Sequence, residues 1–163
     1  MLFRVMSRRD AITYSYQHFP ERTIIISIND AMGPQARFAD NDRIVDVLSL
    51  FFDDVDRPNK DAISDSDAEQ IVKFVNRYRN IVDQVVVHCS AGISRSAGVA
   101  AALMSMLGQD DGVIFDNPVY CPNMTCYRAV LNAANLPVVD NKVQEKEDLN
   151  IKRWREAHQE ELD

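Results

Sequence analysis

His88-Cys89-Ser90-Ala91-Gly92-Ile93-Ser94-Arg95-Ser96 joins two segments of different periodicity. Upstream, Ile81 to Val87 is rich in β-branched residues and reads as a strand. Downstream, Ser96 to Leu107 (SAGVAAALMSML) is apolar nearly all round, as a buried helix is. Gly92 permits a tight reversal between them. The pattern predicts that Cys89 ends a strand and Arg95 opens a helix, so that a cysteine and an arginine share one turn.

A loop of this length opening a helix can aim its backbone N–H groups at one point. There they add to the positive end of the helix dipole and form a nest for a tetrahedral oxyanion. The expected lining is Ser90, Ala91, Gly92, Ile93, Ser94 and Arg95. The same donors stabilise a thiolate, which makes Cys89 a candidate nucleophile near neutrality. Arg95 brings a planar fork that takes two phosphoryl oxygens at once, which lysine cannot do. Ser96, and less directly Ser94, is placed to donate a hydroxyl to the sulfur when it departs. The plainer reading of Cys89 is a buried structural cysteine. That reading leaves the coincidence of Cys, Gly and Arg in one turn unexplained.

The stretch resembles the HC-x5-R(S/T) active-site loop of the cysteine-based protein tyrosine phosphatases. HCSAGISRS is closest to the dual-specificity branch, whose loops often read HCxAGxSRS. The resemblance implies that Cys89 forms a phosphocysteine intermediate, that Arg95 binds phosphate and transition state, and that Ser96 assists breakdown of the intermediate. It also implies that His88 tunes the thiolate through hydrogen bonds and is not a general base. A Pro-Asn pair begins a later helix in dual-specificity enzymes, where the asparagine braces the active-site loop. Pro122-Asn123 matches it, with Cys121 standing where the family more often has Ser or Arg. Asn123 is equally well suited to being an N-cap.

The family reaction also needs an aspartic acid to protonate the departing oxygen. Arg43 to Phe52 (RIVDVLSLFF) reads as a strand running into Asp53-Asp54-Val55-Asp56-Arg57-Pro58. A carboxyl at the carboxyl end of one parallel strand can face the loop at the end of its neighbour. Asp54 is the first choice, Asp56 the alternative acid and Asp53 the third, while Asp61 lies nearer the next helix. Nine aspartates fall between Asp40 and Asp67, so a solvated loop carboxylate competes with each of these readings.

The remaining chain supplies a scaffold. Strands at Leu2–Met6, Thr23–Ile28, Arg43–Phe52 and Val85–His88 are interleaved with helices at Arg8–Gln17, Ser96–Leu107 and Asn123–Ala134. A further helix opens at a capping box Ser66-x-x-Glu69 and carries Ala68, Ile71, Val72, Val75 and Tyr78 on one side. This predicts an α/β fold with a central, mostly parallel sheet flanked by helices on both faces, and the phosphatase loop between a strand and a helix. Gln109 to Pro122 is expected to be irregular. At 163 residues and 46% hydrophobic, the chain suits a single phosphatase domain over 1–163. Asp140 to Asp163, with 8 acidic and 5 basic residues, is expected to form a peripheral charged helix resting on Ile151, Trp154 and His158. A partner-docking tail is the alternative.

A net charge of −7 argues against nucleic acid or an anionic membrane as partner. The cradle holds one Arg and no Lys, which favours a phosphorylated protein or a small phosphate monoester. No apolar run reaches the roughly 18 residues of a membrane span, and three cysteines, one of them in the loop, fit a reducing, cytoplasmic setting. Cys121 and Cys126 read as ordinary thiols. The acidic loop has no Gly at the sixth position and no Glu at the twelfth, so it is not an EF-hand, and neither metal nor cofactor is expected. The expected activity is hydrolysis of phosphotyrosine, extending to phosphoserine and phosphothreonine if the pocket is shallow. Two alternatives are a non-catalytic phosphate-binding module and the same chemistry on a nucleotide, RNA or inositol phosphate.

Overall fold

Val85, Val86 and Val87 are completely buried, which a strand achieves only when both of its faces are covered. The computed structural model, which describes residues 1–159, places them in the middle of a four-stranded sheet. The elements run β1 (Leu2–Ser7), α1 (Arg8–Ser15), β2 (Thr23–Asn29), β3 (Ile44–Phe51), α2 (Asp65–Tyr78) and β4 (Gln84–Cys89). They continue with α3 (Arg95–Met106), α4 (Gly112–Phe115), α5 (Met124–Ala133) and α6 (Asp140–Ala157). The strand order is β1-β4-β2-β3 and every neighbouring pair is parallel, where the sequence predicted a mostly parallel sheet.

Alternation along the central strands sorts the core into two layers. Ile24, Ile26, Ile28, Val85 and Val87 point into the larger one, against Ile71 and Val75 of α2, Val99 and Leu103 of α3 and Val130 of α5. Ile25 and Val86 point the other way, onto Ala11 of α1, with Phe38, Ile44 and Val47 packed around them. The second face is therefore covered partly by a helix and partly by the segment 30–43. That segment links β2 to β3 with no helix of its own, which departs from strict strand–helix alternation.

Three further details differ from the sequence reading. The capping box of α2 is Ser64 with Asp67 rather than Ser66 with Glu69: Ser64 Oγ accepts from Asp67 N at 3.0 Å, and the Asp67 carboxylate accepts from Ser64 N at 2.9 Å. Aspartate closes the same reciprocal pair that glutamate does, and the N-cap Ser64 sits one turn ahead of the first buried residue, Ala68. The stretch 109–122 contains the short helix α4, with Ile114 and Phe115 buried. Helix α6 seats itself through Val143 and Asn150, while Trp154 stacks on His158 at 4.4 Å near its end. Residues 160–163 of the charged segment lie outside the described residues. Among the described residues, no helix is long and apolar enough to cross a membrane.

The register sets Asn29 beside Phe51 and Ser27 beside His88. The carboxyl ends of β2, β3 and β4 thus open at one edge of the sheet, and the loops that follow them converge there.

Candidate active site

Cys89 is the last residue of β4 and Arg95 the first of α3. The turn between them is fastened by its carbonyls. Ser90 O accepts from Arg8 N at 3.2 Å, Ile93 O from Cys121 N at 3.1 Å, and Ser94 O from both Asn123 N and Gly98 N at 2.9 Å. Among the described residues every peptide bond is trans, so each outward carbonyl turns the N–H of the following residue to the opposite side. The amides of Ala91, Ser94 and Arg95 are directed inward in this way. Gly92 occupies φ +70°, and a side chain there would fall on the Met6–Ser7 peptide of β1. Only glycine serves at that position. Its N–H points at Cys89 Sγ, 3.3 Å away, and Ser96 Oγ lies 3.1 Å from the same sulfur. The thiol is 2% exposed, whereas Ser90, Ala91 and Ile93 are exposed around it.

Arg95 is buried and gripped at both ends of its fork. Nη1 donates to the Phe52 carbonyl at 2.7 Å, and Nη2 donates to Ser90 Oγ at 3.0 Å and meets the Asp30 carboxylate at 2.8 Å. Its buried Nε finds no acceptor. An unpaired buried donor costs on the order of 1–3 kcal/mol, more when charged, and an oxyanion in the nest is the kind of group that would relieve it.

His88 faces away from the sulfur. Its Nδ1 is 3.1 Å from the Cys89 carbonyl, which can only accept, so Nδ1 carries the proton and Nε2 accepts from Ser27 Oγ at 2.6 Å. Burial lowers its pKa, with the Arg8 and Arg95 charges acting in the same direction, against the bond to the Cys89 carbonyl. His88 thus fixes the backbone of Cys89 as a neutral ring.

The four candidate acids separate by what each carboxylate touches. Asp54 Oδ1 accepts from Ser94 Oγ at 2.9 Å and from Asn123 Nδ2 at 2.8 Å, which brings it to the rim of the turn. Asp53 uses its carboxylate on Ala31 N at 2.9 Å. Asp56 is exposed, and Asp61 contributes its backbone carbonyl to Asp53 N at 2.6 Å. Asn123 is both N-cap and brace. Its Oδ1 accepts from Cys126 N, while Nδ2 reaches Asp54 and the Val55 carbonyl. Helices α3 and α5 approach so closely at this point that a Cβ on Gly98 would fall on the Asn123 carbonyl.

The other two cysteines are unsuited to nucleophilic work. Burial pushes the Cys126 thiol far up, assisted by Asp54, and burial raises Cys121 as well, so both remain protonated.

Sequence reasoning missed Asp30 and Ser27. Asp30 directly follows β2 and joins Arg95 and Ser90; Ser90 Oγ also donates to its Oδ1 at 3.1 Å. Partial burial works to raise its pKa, but the bond and charge of Arg95, with Ser90 and Arg8, outweigh that and hold the carboxyl below its ordinary value. The rule that singled out Asp54, a carboxylate at the carboxyl end of a parallel strand, applies equally to Asp30 and could have found it.

Residues 58–129 match the model of the protein-tyrosine phosphatase family, a span that takes in the whole turn and Asn123. No curated protein matches the sequence. Among solved structures, the human tyrosine phosphatase-like serine/threonine/tyrosine-interacting protein is similar at 21% identity, over 68% of this chain and 74% of that one, with a TM-score of 0.50. A mouse putative dual specificity phosphatase complexed with zinc tungstate is similar at 17% identity, over 79% of each chain, with a TM-score of 0.53. Both likenesses show a shared fold.

Proposed function

We propose that the chain is a cysteine-dependent phosphatase of the protein tyrosine phosphatase superfamily that hydrolyses phosphotyrosine in proteins, with phosphoserine and phosphothreonine as further substrates in the manner of the dual-specificity branch. One observation carries this reading. The Cys89 sulfur receives the Gly92 N–H and lies beside the Ser96 hydroxyl, in the same turn that buries Arg95 with its Nε unpartnered. Such a turn can hold a phosphoryl group against a thiolate.

The chemistry follows from these positions. Cys89 attacks phosphorus in line as a thiolate, so that a P–S bond forms while the P–O bond to the substrate breaks. The inward amides and Arg95 take the equatorial oxygens. Asp54 protonates the departing oxygen. Its Oδ1 already accepts two hydrogen bonds, so Oδ2 carries the proton. In the second step the Asp54 carboxylate takes a proton from water as it attacks the phosphocysteine. The sulfur then leaves as thiolate toward the Ser96 hydroxyl, and inorganic phosphate is released.

The substrate class rests on charge. The cradle has a single basic residue, and Asp30, Asp53, Asp54 and Asp56 lie on the loops around it in a chain of net charge −7. Polyanionic lipids and nucleic acids are disfavoured by such a rim, whereas one phosphate on a protein side chain needs only the nest. An unpaired thiol nucleophile also suits a reducing compartment.

An aryl phosphate assay tests the reading. Wild type should exceed Cys89→Ser by several orders of magnitude; if the two are equal, the chain is a phosphate-binding module. Asp54→Asn should slow substrates with poor leaving groups by about 10²- to 10⁴-fold, the usual share of a general acid, and activated aryl phosphates far less. If Asp56→Asn shows that pattern instead, the acid is Asp56.

A further inference from the structure

Asp30 sets a carboxylate against the one guanidinium that has to receive a dianion, and repulsion alone would disfavour such an arrangement. The geometry supplies a reason for it. Asp30 Oδ1 lies 2.8 Å from Arg95 Nη2 and 3.1 Å from Ser90 Oγ, and that hydroxyl accepts from the same Nη2 at 3.0 Å. The three groups form a closed triangle. At the opposite end of the fork, Nη1 is held by the Phe52 carbonyl at 2.7 Å. Nη2 thus serves Ser90 and Asp30 and Nη1 serves Phe52, which leaves Nε as the one nitrogen of the fork with no partner.

The mount under Asp30 is rigid. Its carbonyl accepts from Gly33 N at 3.0 Å, closing a turn, and the next amide, Ala31 N, is bound by the Asp53 carboxylate. Arg8 fastens the far side of the same turn by donating to Asn29 Oδ1 and the Pro34 carbonyl. Asn29 in turn reaches the Leu50 carbonyl on β3. A side chain on so constrained a turn can transmit orientation.

We propose that Asp30 is a positioning residue that aims Arg95 at the phosphoryl group in the transition state, acting through Nη2 and Ser90 while leaving Nε to the substrate. The inference rests on the cradle being the catalytic site. Asp30 does not hold the leaving-group proton, because it is in direct contact with a buried cation. Its charge also repels the bound dianion, so its removal spares or tightens ground-state binding, and the loss falls on turnover.

A double-mutant cycle reads this directly. Asp30→Ala should lower kcat on an aryl phosphate about 10- to 100-fold, the scale of a misaligned catalytic group, with KM unchanged or reduced. Asp30→Asn keeps an acceptor for Nη2 and should lose less, which guards against a folding defect in the alanine variant. In an Arg95→Ala background, adding Asp30→Ala should cost no more than about twofold, since the residue through which it acts is gone. Losses that multiply in the double variant, or a rise in KM with kcat intact, would overturn the proposal. So would a loss that grows as the leaving group becomes poorer, which would make Asp30 a proton donor. Orthovanadate, which adopts five-coordinate geometry on a thiolate, gives the same cycle as an inhibition or binding constant. If wild type proves inactive, the phosphatase reading fails, and vanadate binding still reports whether Asp30 and Arg95 are coupled.

Discussion

At the scale of single residues, the site is governed by groups that act on their neighbours' geometry. His88 lies next to the proposed nucleophile in sequence, yet its ring hydrogen-bonds to the Cys89 carbonyl and Ser27, on the α1 side of the sheet. Its burial has a consequence for stability. The unfolded chain protonates this imidazole near pH 6.5, whereas the folded chain does so only at lower pH. The unfolded state therefore binds more protons as pH falls below 6.5, and stability drops over that window by up to about 1.4 kcal/mol per pH unit. Above it, the contribution of His88 is complete. Urea midpoints measured from about pH 5 to about pH 8 should rise with pH in wild type and flatten in His88→Gln. Asp30 adds an effect of the same sign further down, lost only as pH falls below 3.8 toward its depressed folded value. Gly92→Ala places a side chain at φ +70° on the Met6–Ser7 peptide. The backbone alone costs about 1–2 kcal/mol, so the variant should melt lower and lose most turnover, as calorimetry and an aryl phosphate assay would record. Cys89, Gly92 and Arg95 were legible because each combines a residue type with a fixed place in one turn. Asp30 was passed over although the strand-end rule that selected Asp54 covers it too, because the arginine it meets lies 65 residues away in sequence and nothing local ties the two together.

Between elements, the close crossing of α3 and α5 governs the place of Asp54, the proposed acid. Asn123 caps α5, holds Asp54 through Nδ2 and lies where Gly98 lets the helices touch. Gly98→Ala should push α5 outward, loosen Asp54 and slow poor leaving groups selectively, reproducing the Asp54→Asn pattern at a site that touches no substrate. Unchanged leaving-group dependence would show that the brace is dispensable. Helix α2 tests the corrected cap. Ser64→Ala should cost about 1 kcal/mol, within the usual range for losing an N-cap, and Ser66→Ala little, as denaturant midpoints would show. Helices and strands were readable from hydrophobic period because burial imposes that period on any sequence that fills the position. The exact cap of α2 was missed because two Ser–acid pairs overlap there, and only the direction of chain entry selects Ser64 with Asp67.

Across the whole molecule, the C-terminal helix reaches the cradle through a chain of polar contacts. Buried Asn150 of α6 donates to the carbonyls of Phe115 and Tyr120, and the adjoining Cys121 N–H holds the Ile93 carbonyl of the turn. Lys146 meets the buried Asp111 at 2.8 Å, Tyr127 shares that carboxylate, and Arg153 pairs with Asp116. Asn150→Ala strands the buried Phe115 carbonyl and the half-buried Tyr120 carbonyl and should cost about 1–3 kcal/mol, with a measurable loss of turnover because the 116–121 segment supports Ile93. A truncation before Asp140 that left catalysis unchanged would show that this support is not needed. The amino-acid sequence by itself determined the α/β class, the strand-to-helix turn and the placing of Cys89 and Arg95 at its two ends, because local periodicity and the conformational needs of one loop are written in consecutive residues. Only the tertiary structure decided that the sheet is wholly parallel in the order β1-β4-β2-β3, that Asp54 alone among its neighbours meets the turn, and that Asp30 grips the arginine. These depend on which strand ends lie side by side, and that adjacency arises from packing between segments whose separation along the chain carries no record of it.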